Sequence, residues 1–177
     1  MMSDISLTIN GKLVGPIDVG TDVMMIEFLH EYLNMTGTKF GCGEGICHAC
    51  VVIVDNDDGS SSTVRTCISG AHAFNNFKIR TIEGHAKTNN MGEIIQLSPV
   101  QESFIKHFAF QCGWCTSGFT NETTLLIEKL QKAPINKADV EAVILESLGE
   151  HVCRCTGYVK YYQAVKELIL TTEGLTT

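Results

Sequence analysis

No stretch of this chain approaches the roughly 18 consecutive apolar residues that a membrane-spanning helix needs. The opening Met1-Met2-Ser3-Asp4-Ile5-Ser6 has no basic cluster, long apolar core or twin arginine. No export signal is therefore expected there, and a reducing, cytoplasmic setting is the default. Positive charge is scarce as well. With 13 Lys and Arg against 20 Asp and Glu, the formal charge is -7, whereas nucleic-acid or acidic-membrane binding would want a basic stripe. The phosphate loop, the G-x-S-x-G elbow and a G-x-G-x-x-G opening a helix are also missing, which excludes nucleotide and hydride chemistry from the expected repertoire.

What the 177 residues do contain is eight cysteines, in two sets of four. Cys42, Cys47, Cys50 and Cys67 read C-x4-C-x2-C followed by one distant Cys, the spacing of a plant-type 2Fe-2S centre. Cys112, Cys115, Cys153 and Cys155 read C-x2-C and then, far downstream, C-x-C. In a reducing compartment such patterns point to metal or redox chemistry rather than to disulfides. Spacing alone leaves the second set open to tetrahedral zinc as well as iron. The ferredoxin-type loop beside it favours iron, because one redox centre gains a path from a second.

A 2Fe-2S core with four thiolates carries a net charge of about -2, and about -3 once reduced, so its surroundings must supply donors. Gly41, Gly43 and Gly45 allow backbone N–H groups to close on sulfur as an anion-binding nest. His48 lies between two cysteines of the first set and His151 two residues before Cys153. Neither set lacks a cysteine, so a Rieske-type histidine pair has no vacancy, and both rings are expected to face solvent. A sharper expectation is that a protonated His48 raises the potential of its cluster. Arg154 reads equally as an offset to cluster charge and as an exposed docking residue.

Patterning divides the chain in two. Ile5, Leu7 and Ile9 alternate as a strand would, and Asn10-Gly11 suits a type I′ hairpin turn. Thr21 and Asp22 are expected to cap a helix whose Met25, Phe28, Leu29, Tyr32 and Leu33 share one face. Further strands are expected at 51–54, 64–67 and 77–82. A polar, aperiodic stretch then reads as a linker. Ser98-Pro99 should open a first helix of the second half. A second should run from Thr116 or Ser117 to just before Pro134, a third over 138–148 behind Asn136, and a fourth over 160–170. The expected fold class is α+β. A β-grasp ferredoxin domain over 1–83 and a linker over 84–97 precede an all-α four-helix domain over 98–177, and each domain wraps one cysteine set. Domains of this size bury only about 60% of their unfolded surface, so a metal staple suits both.

Three segments carry a resemblance: Gly37-Thr38-Lys39-Phe40-Gly41-Cys42-Gly43-Glu44-Gly45-Ile46-Cys47-His48-Ala49-Cys50, Gln111-Cys112-Gly113-Trp114-Cys115-Thr116-Ser117-Gly118 and Cys153-Arg154-Cys155-Thr156-Gly157-Tyr158. In this order they resemble the 2Fe-2S small subunit of the xanthine oxidase and aldehyde oxidase family of molybdenum hydroxylases. The resemblance implies two 2Fe-2S clusters, on Cys42, Cys47, Cys50 and Cys67 and on Cys112, Cys115, Cys153 and Cys155. It also implies that Gln111 and Cys155 meet the molybdopterin held by a separate large subunit. Electrons released by oxidation of an aldehyde or N-heterocycle would pass through this chain to an FAD subunit or a cytochrome c, and no substrate site is expected here. A freestanding two-cluster ferredoxin and a zinc-stapled interaction module are the other readings. A chain without its own signal could reach the periplasm bound to an exported partner. His48, Trp114, Ser117 and Glu150-His151 depart from the family pattern, and this bears on the acceptor.

Overall fold

The computed structural model describes residues 2–177; Met1, the first residue of the reading for export signals, lies outside them. Strands β1 (Met2–Ile9) and β2 (Lys12–Gly20) form the expected hairpin. Asn10 and Gly11 both take positive φ, 50° and 79°, as a two-residue primed turn requires. The sheet is completed by β3 (Val51–Asp55), β4 (Ser61–Arg65) and β5 (Lys78–Arg80), in the order β2-β1-β5-β3-β4. Only the β1–β5 pairing is parallel.

One face of this sheet packs Ile5, Leu7, Val52, Val54 and Ile79 against Met25, Phe28 and Leu29. Those three belong to α1 (Met25–Glu27) and the π-helical turn Phe28–Tyr32 that prolongs it. The cap is not at Thr21 or Asp22. Met24 holds that position, and its N–H donates to the Glu27 carboxylate at 2.8 Å. A carboxylate three residues inside the helix satisfied the orphan donor, a signal masked by the better capping residues nearby.

The stretch read as an aperiodic linker is not structureless. It carries β6 (Lys87–Thr88) paired with β7 (Ile94–Gln96). Beyond it α2 (Pro99–Lys106) begins with the expected cap. The Gln101 N–H donates to Ser98 Oγ at 3.3 Å, and the Ser98 N–H donates to the Gln101 side chain at 2.9 Å. Helices α3 (Thr116–Lys132), α4 (Val140–Leu148) and α5 (Val159–Thr171) follow. Before α4 the chain makes a 3-10 turn, Lys137–Asp139, and Asn136 bonds the Asp139 side chain instead of capping the helix backbone.

Helix α3 joins the two halves. Its first turns, Ser117 to Thr123, are buried on every side, because β3 lies against one flank and the core of α2, α4 and α5 against the other. Val51 and Ile53 are buried outside the α1 core, on the face of β3 that alternation turns toward α3. Two polar side chains of this flank reach backbone carbonyls across it: Asn121 donates to Val51 of β3 at 2.6 Å and Ser117 to Ala49 just before it at 3.1 Å. Farther along, Arg80 of β5 forks onto Glu128 and also meets Asp55 at 2.9 Å. Among the described residues no helix is long and apolar enough to cross a membrane.

Candidate metal centres

The helical segment after α1 ends at Leu33, where Asn34 turns left-handed at φ 53°, and farther on Gly43 and Gly45, at φ of 73° and 72°, coil the cysteine loop. This coiling aims three N–H groups at one sulfur: those of Glu44, Ile46 and Cys47 lie 3.3, 3.4 and 3.4 Å from Cys42 Sγ. The Cys42 N–H in turn approaches Cys47 Sγ at 3.4 Å. Burial alone would push the Cys42 thiol up, yet these backbone donors together bring it down to about 6. Cys50 and Cys67 lie deeper, packed on Ile26. The Thr66 hydroxyl and N–H both donate to the Cys50 carbonyl, at 2.8 and 3.3 Å, and so hold the end of β4 against the loop. Burial raises the Cys50 thiol to about 11.

The second set sits where helices end. Cys112 and Cys115 lie between α2 and α3, and Cys153 and Cys155 between α4 and α5. Cys112 and Cys155 are exposed with their sulfurs 3.4 Å apart, while the deeper Cys115 meets Cys153. Tyr161, stacked on Phe119 at 4.0 Å, places its hydroxyl 3.6 Å from Cys115 Sγ and 2.7 Å from Thr116 Oγ1. Burial pushes the Cys115 thiol up to about 12. It would also raise Cys153, but the Thr156 hydroxyl and N–H outweigh it and bring that thiol to about 7.

All eight cysteines are free, and their sulfurs meet two by two: 42 with 47, 50 with 67, 112 with 155, and 115 with 153. Two thiolate pairs per set, with N–H donors turned onto sulfur, fit a binuclear core in which each iron takes two thiolates. Among the described residues no three His, Cys, Asp or Glu side chains gather as a single-ion site.

The two sets face each other. A cleft of about 240 Å³ is lined by Cys42 and Cys47 of the first and by Cys112, Cys115, Cys153 and Cys155 of the second. The Val152 N–H donates to the Cys47 carbonyl at 3.2 Å, tying the residue before Cys153 to a cysteine of the other set.

The solvent-facing assignment of the histidines is overturned. His48 is 8% exposed and His151 2%, and the rings meet edge to face at 4.9 Å between the halves. Arg65 Nε donates to His48 Nε2 at 2.9 Å, and Glu150 joins both residues at 3.2 and 3.4 Å. Burial, then His151 and Arg65, lower the proton affinity of His48, so a protonated ring raising the cluster potential does not fit this environment. Glu122 lies 3.7 Å from His151 and is held below the usual carboxylate range; burial would raise it, but the His151 ring and the Thr63 hydroxyl outweigh that.

The other departures from the family pattern lie on the same seam. Trp114 Nε1 donates to the Phe40 carbonyl at 2.7 Å, and Ser117 reaches Ala49. These residues stitch the halves together, which gives them a role apart from any choice of acceptor. Gln111 and Arg154 are exposed. Tyr161, Thr156, Thr66 and Arg65 were not singled out from sequence. Thr156, beside Cys155, and Thr66, beside Cys67, had a local signal; Tyr161 reaches Cys115, and Arg65 reaches His48, only through tertiary packing.

A sheet unit and a helical unit that each gather four thiols in pairs define an iron-sulfur protein with two binding units. Residues 7–73 match the family model described as a 2Fe-2S iron-sulfur cluster binding domain, and residues 81–166 match a [2Fe-2S] binding domain. The chain is 32% identical to the nicotine 6-hydroxylase small subunit of Paenarthrobacter nicotinovorans, over 97% of this chain and 90% of that one. It is 31% identical to the aldehyde oxidoreductase iron-sulfur-binding subunit PaoA of Escherichia coli K12, over 92% and 70%. Quinoline 2-oxidoreductase from Pseudomonas putida 86 superposes with a TM-score of 0.77 at 30% identity, over 94% of this chain and 91% of that one. The chain belongs to the iron-sulfur subunits of the xanthine oxidase and aldehyde oxidase family of molybdenum hydroxylases. Some relatives are far longer: the matched region is 12% of aldehyde oxidase 1 of Cavia porcellus.

Proposed function

We propose that this subunit carries electrons through two 2Fe-2S clusters, one on Cys42, Cys47, Cys50 and Cys67 and one on Cys112, Cys115, Cys153 and Cys155. The observation that carries this reading is the pairing of sulfurs within two sets, of which Cys42 and Cys47 of the first share a cleft with all four of the second. Such clusters, when bound, supply one-electron chemistry without proton transfer to substrate. The Cys42 nest offsets negative charge at the first site, and Tyr161 and Thr156 do so at the second. The Val152–Cys47 hydrogen bond fixes the spacing of the two loops. On this reading residues 1–83 are a β-grasp ferredoxin domain, 84–97 a linker and 98–177 a four-helix domain.

The exposed Gln111 and Cys155 then face the molybdopterin of a large partner subunit, and the first set faces the acceptor, an FAD subunit or a cytochrome c. The substrate is an aldehyde or an N-heterocycle, oxidised on the partner. The test is co-purification from the native host, with iron, sulfide and molybdenum analysis and EPR of the dithionite-reduced complex. Two distinct 2Fe-2S signals in a molybdenum-containing complex are expected. Folded, colourless material that holds zinc after anaerobic reconstitution would falsify the reading, and a two-cluster chain that co-purifies with no molybdopterin subunit would show a free ferredoxin instead.

A further inference from the structure

Helix α2 ends in the hydrogen bonds of a Schellman motif: the Phe108 N–H donates to the Ile105 carbonyl at 3.0 Å and the Ala109 N–H to the Phe104 carbonyl at 2.9 Å. That motif puts the residue after the C-cap His107 in the left-handed region, here at φ 49°, where glycine sits without strain. A phenylalanine occupies it. Phe104 and Ala109 are buried and pin the turn, whereas Phe108 is 82% exposed, more than any other large apolar side chain among the described residues. Ile105 and Phe110 are also exposed beside it. Neither backbone preference nor burial within this chain accounts for an aromatic ring there. A surface that covers it from outside does.

Position identifies that surface. Ala109, Phe110 and Gln111 lead directly from Phe108 to Cys112, whose sulfur lies beside that of the exposed Cys155. A protein that approaches these two cysteines meets Phe108 on the same segment. The exposed Lys106, two residues before it, pairs with Glu167 and adds charge at the edge of this apolar turn, as interfaces with an apolar centre have. Resting on the electron-transfer reading above, we propose that Phe108 anchors this chain to the large pterin-holding subunit, its ring filling an apolar pocket of that partner.

The test compares wild type, Phe108→Gly, Phe108→Asn and Phe108→Tyr. Two quantities are read: the Tm of the full chain alone and its affinity for the purified large subunit by sedimentation or surface binding. Gly and Asn tolerate the left-handed turn, so their Tm should equal that of wild type or exceed it by about 2 °C. Their affinity should fall at least tenfold, and Tyr should retain it. Unchanged affinity in Phe108→Gly overturns the anchor alone, as does a loss of affinity that tracks a lowered Tm. A wild-type chain that binds no pterin-holding subunit overturns the electron-transfer reading and the anchor together.

Discussion

Around Cys42 the donors all come from the backbone of the same short loop, whereas the second set combines a local turn, Thr156 on Cys153, with a tyrosine hydroxyl that α5 brings beside Cys115. The first site is made locally, its N–H groups fixed by two glycines of positive φ. The second exists only when four helix ends have come together. A backbone nest tolerates changes in side-chain packing, while a site built from helix ends inherits every shift of the core. The two sites also share one boundary, the seam of His48, His151, Trp114 and Ser117, so a change there should reach both.

The largest effect should come from removing ligands. Cys67→Ser and Cys153→Ser should each halve the iron and acid-labile sulfide bound after reconstitution, and each should remove a different EPR signal. If either variant lost all its iron, the sites would not be separate. Next comes the seam, where a methyl group on Gly118 would lie 2.1 Å from the His48 carbonyl oxygen. Gly118→Ala should cost about 3 kcal/mol, lowering Tm by roughly 6–12 °C. It should disturb both cluster spectra; a change confined to one would break the picture of a shared boundary.

A smaller effect is expected from Tyr161→Phe, which keeps the stack on Phe119 and removes the hydroxyl near Cys115 and Thr116. About 1 kcal/mol should be lost by thermal denaturation, with the spectral change limited to the second site. The smallest concerns pH. Burial, His151 and Arg65 lower the affinity of His48 for a proton, so the unfolded chain takes one up near pH 6.5 while the folded chain resists it. Stability from this group is complete above that pH and declines as pH falls below it toward the folded value. His48→Gln keeps an acceptor for Arg65 and should flatten the decline in Tm between pH 7 and 5. An identical slope in the variant would remove His48 from the account.

The local features were legible. Asn10-Gly11 announced its hairpin and Ser98-Pro99 its helix, because each signal lies within a few residues of what it determines; cysteine spacing pointed to the first set, and the second was read as iron only beside it. What was not legible depends on partners far along the chain. His48 and His151 read as loop residues because each sits among or beside the cysteines of its set; the cover comes from α3 and from each other. The β6–β7 hairpin has strands of two and three residues, too short to show a period. Thr21 and Asp22 lost the cap to Met24 because Glu27 reaches back to the Met24 N–H, a contact that becomes possible only once the helix starts there.

The burial of α3 between the halves imposes an order on biosynthesis. The carbonyl of Val51 waits for Asn121, 70 residues later in the chain. At about 5–20 residues per second, the ribosome leaves one flank of the nascent sheet bare for roughly 4–14 s. Cys67 is made early in that interval and Cys112 and Cys115 only near its end, while Cys153 and Cys155 follow Asn121, so the first set of thiols is complete well before the second and a factor delivering iron or sulfide meets them one set at a time.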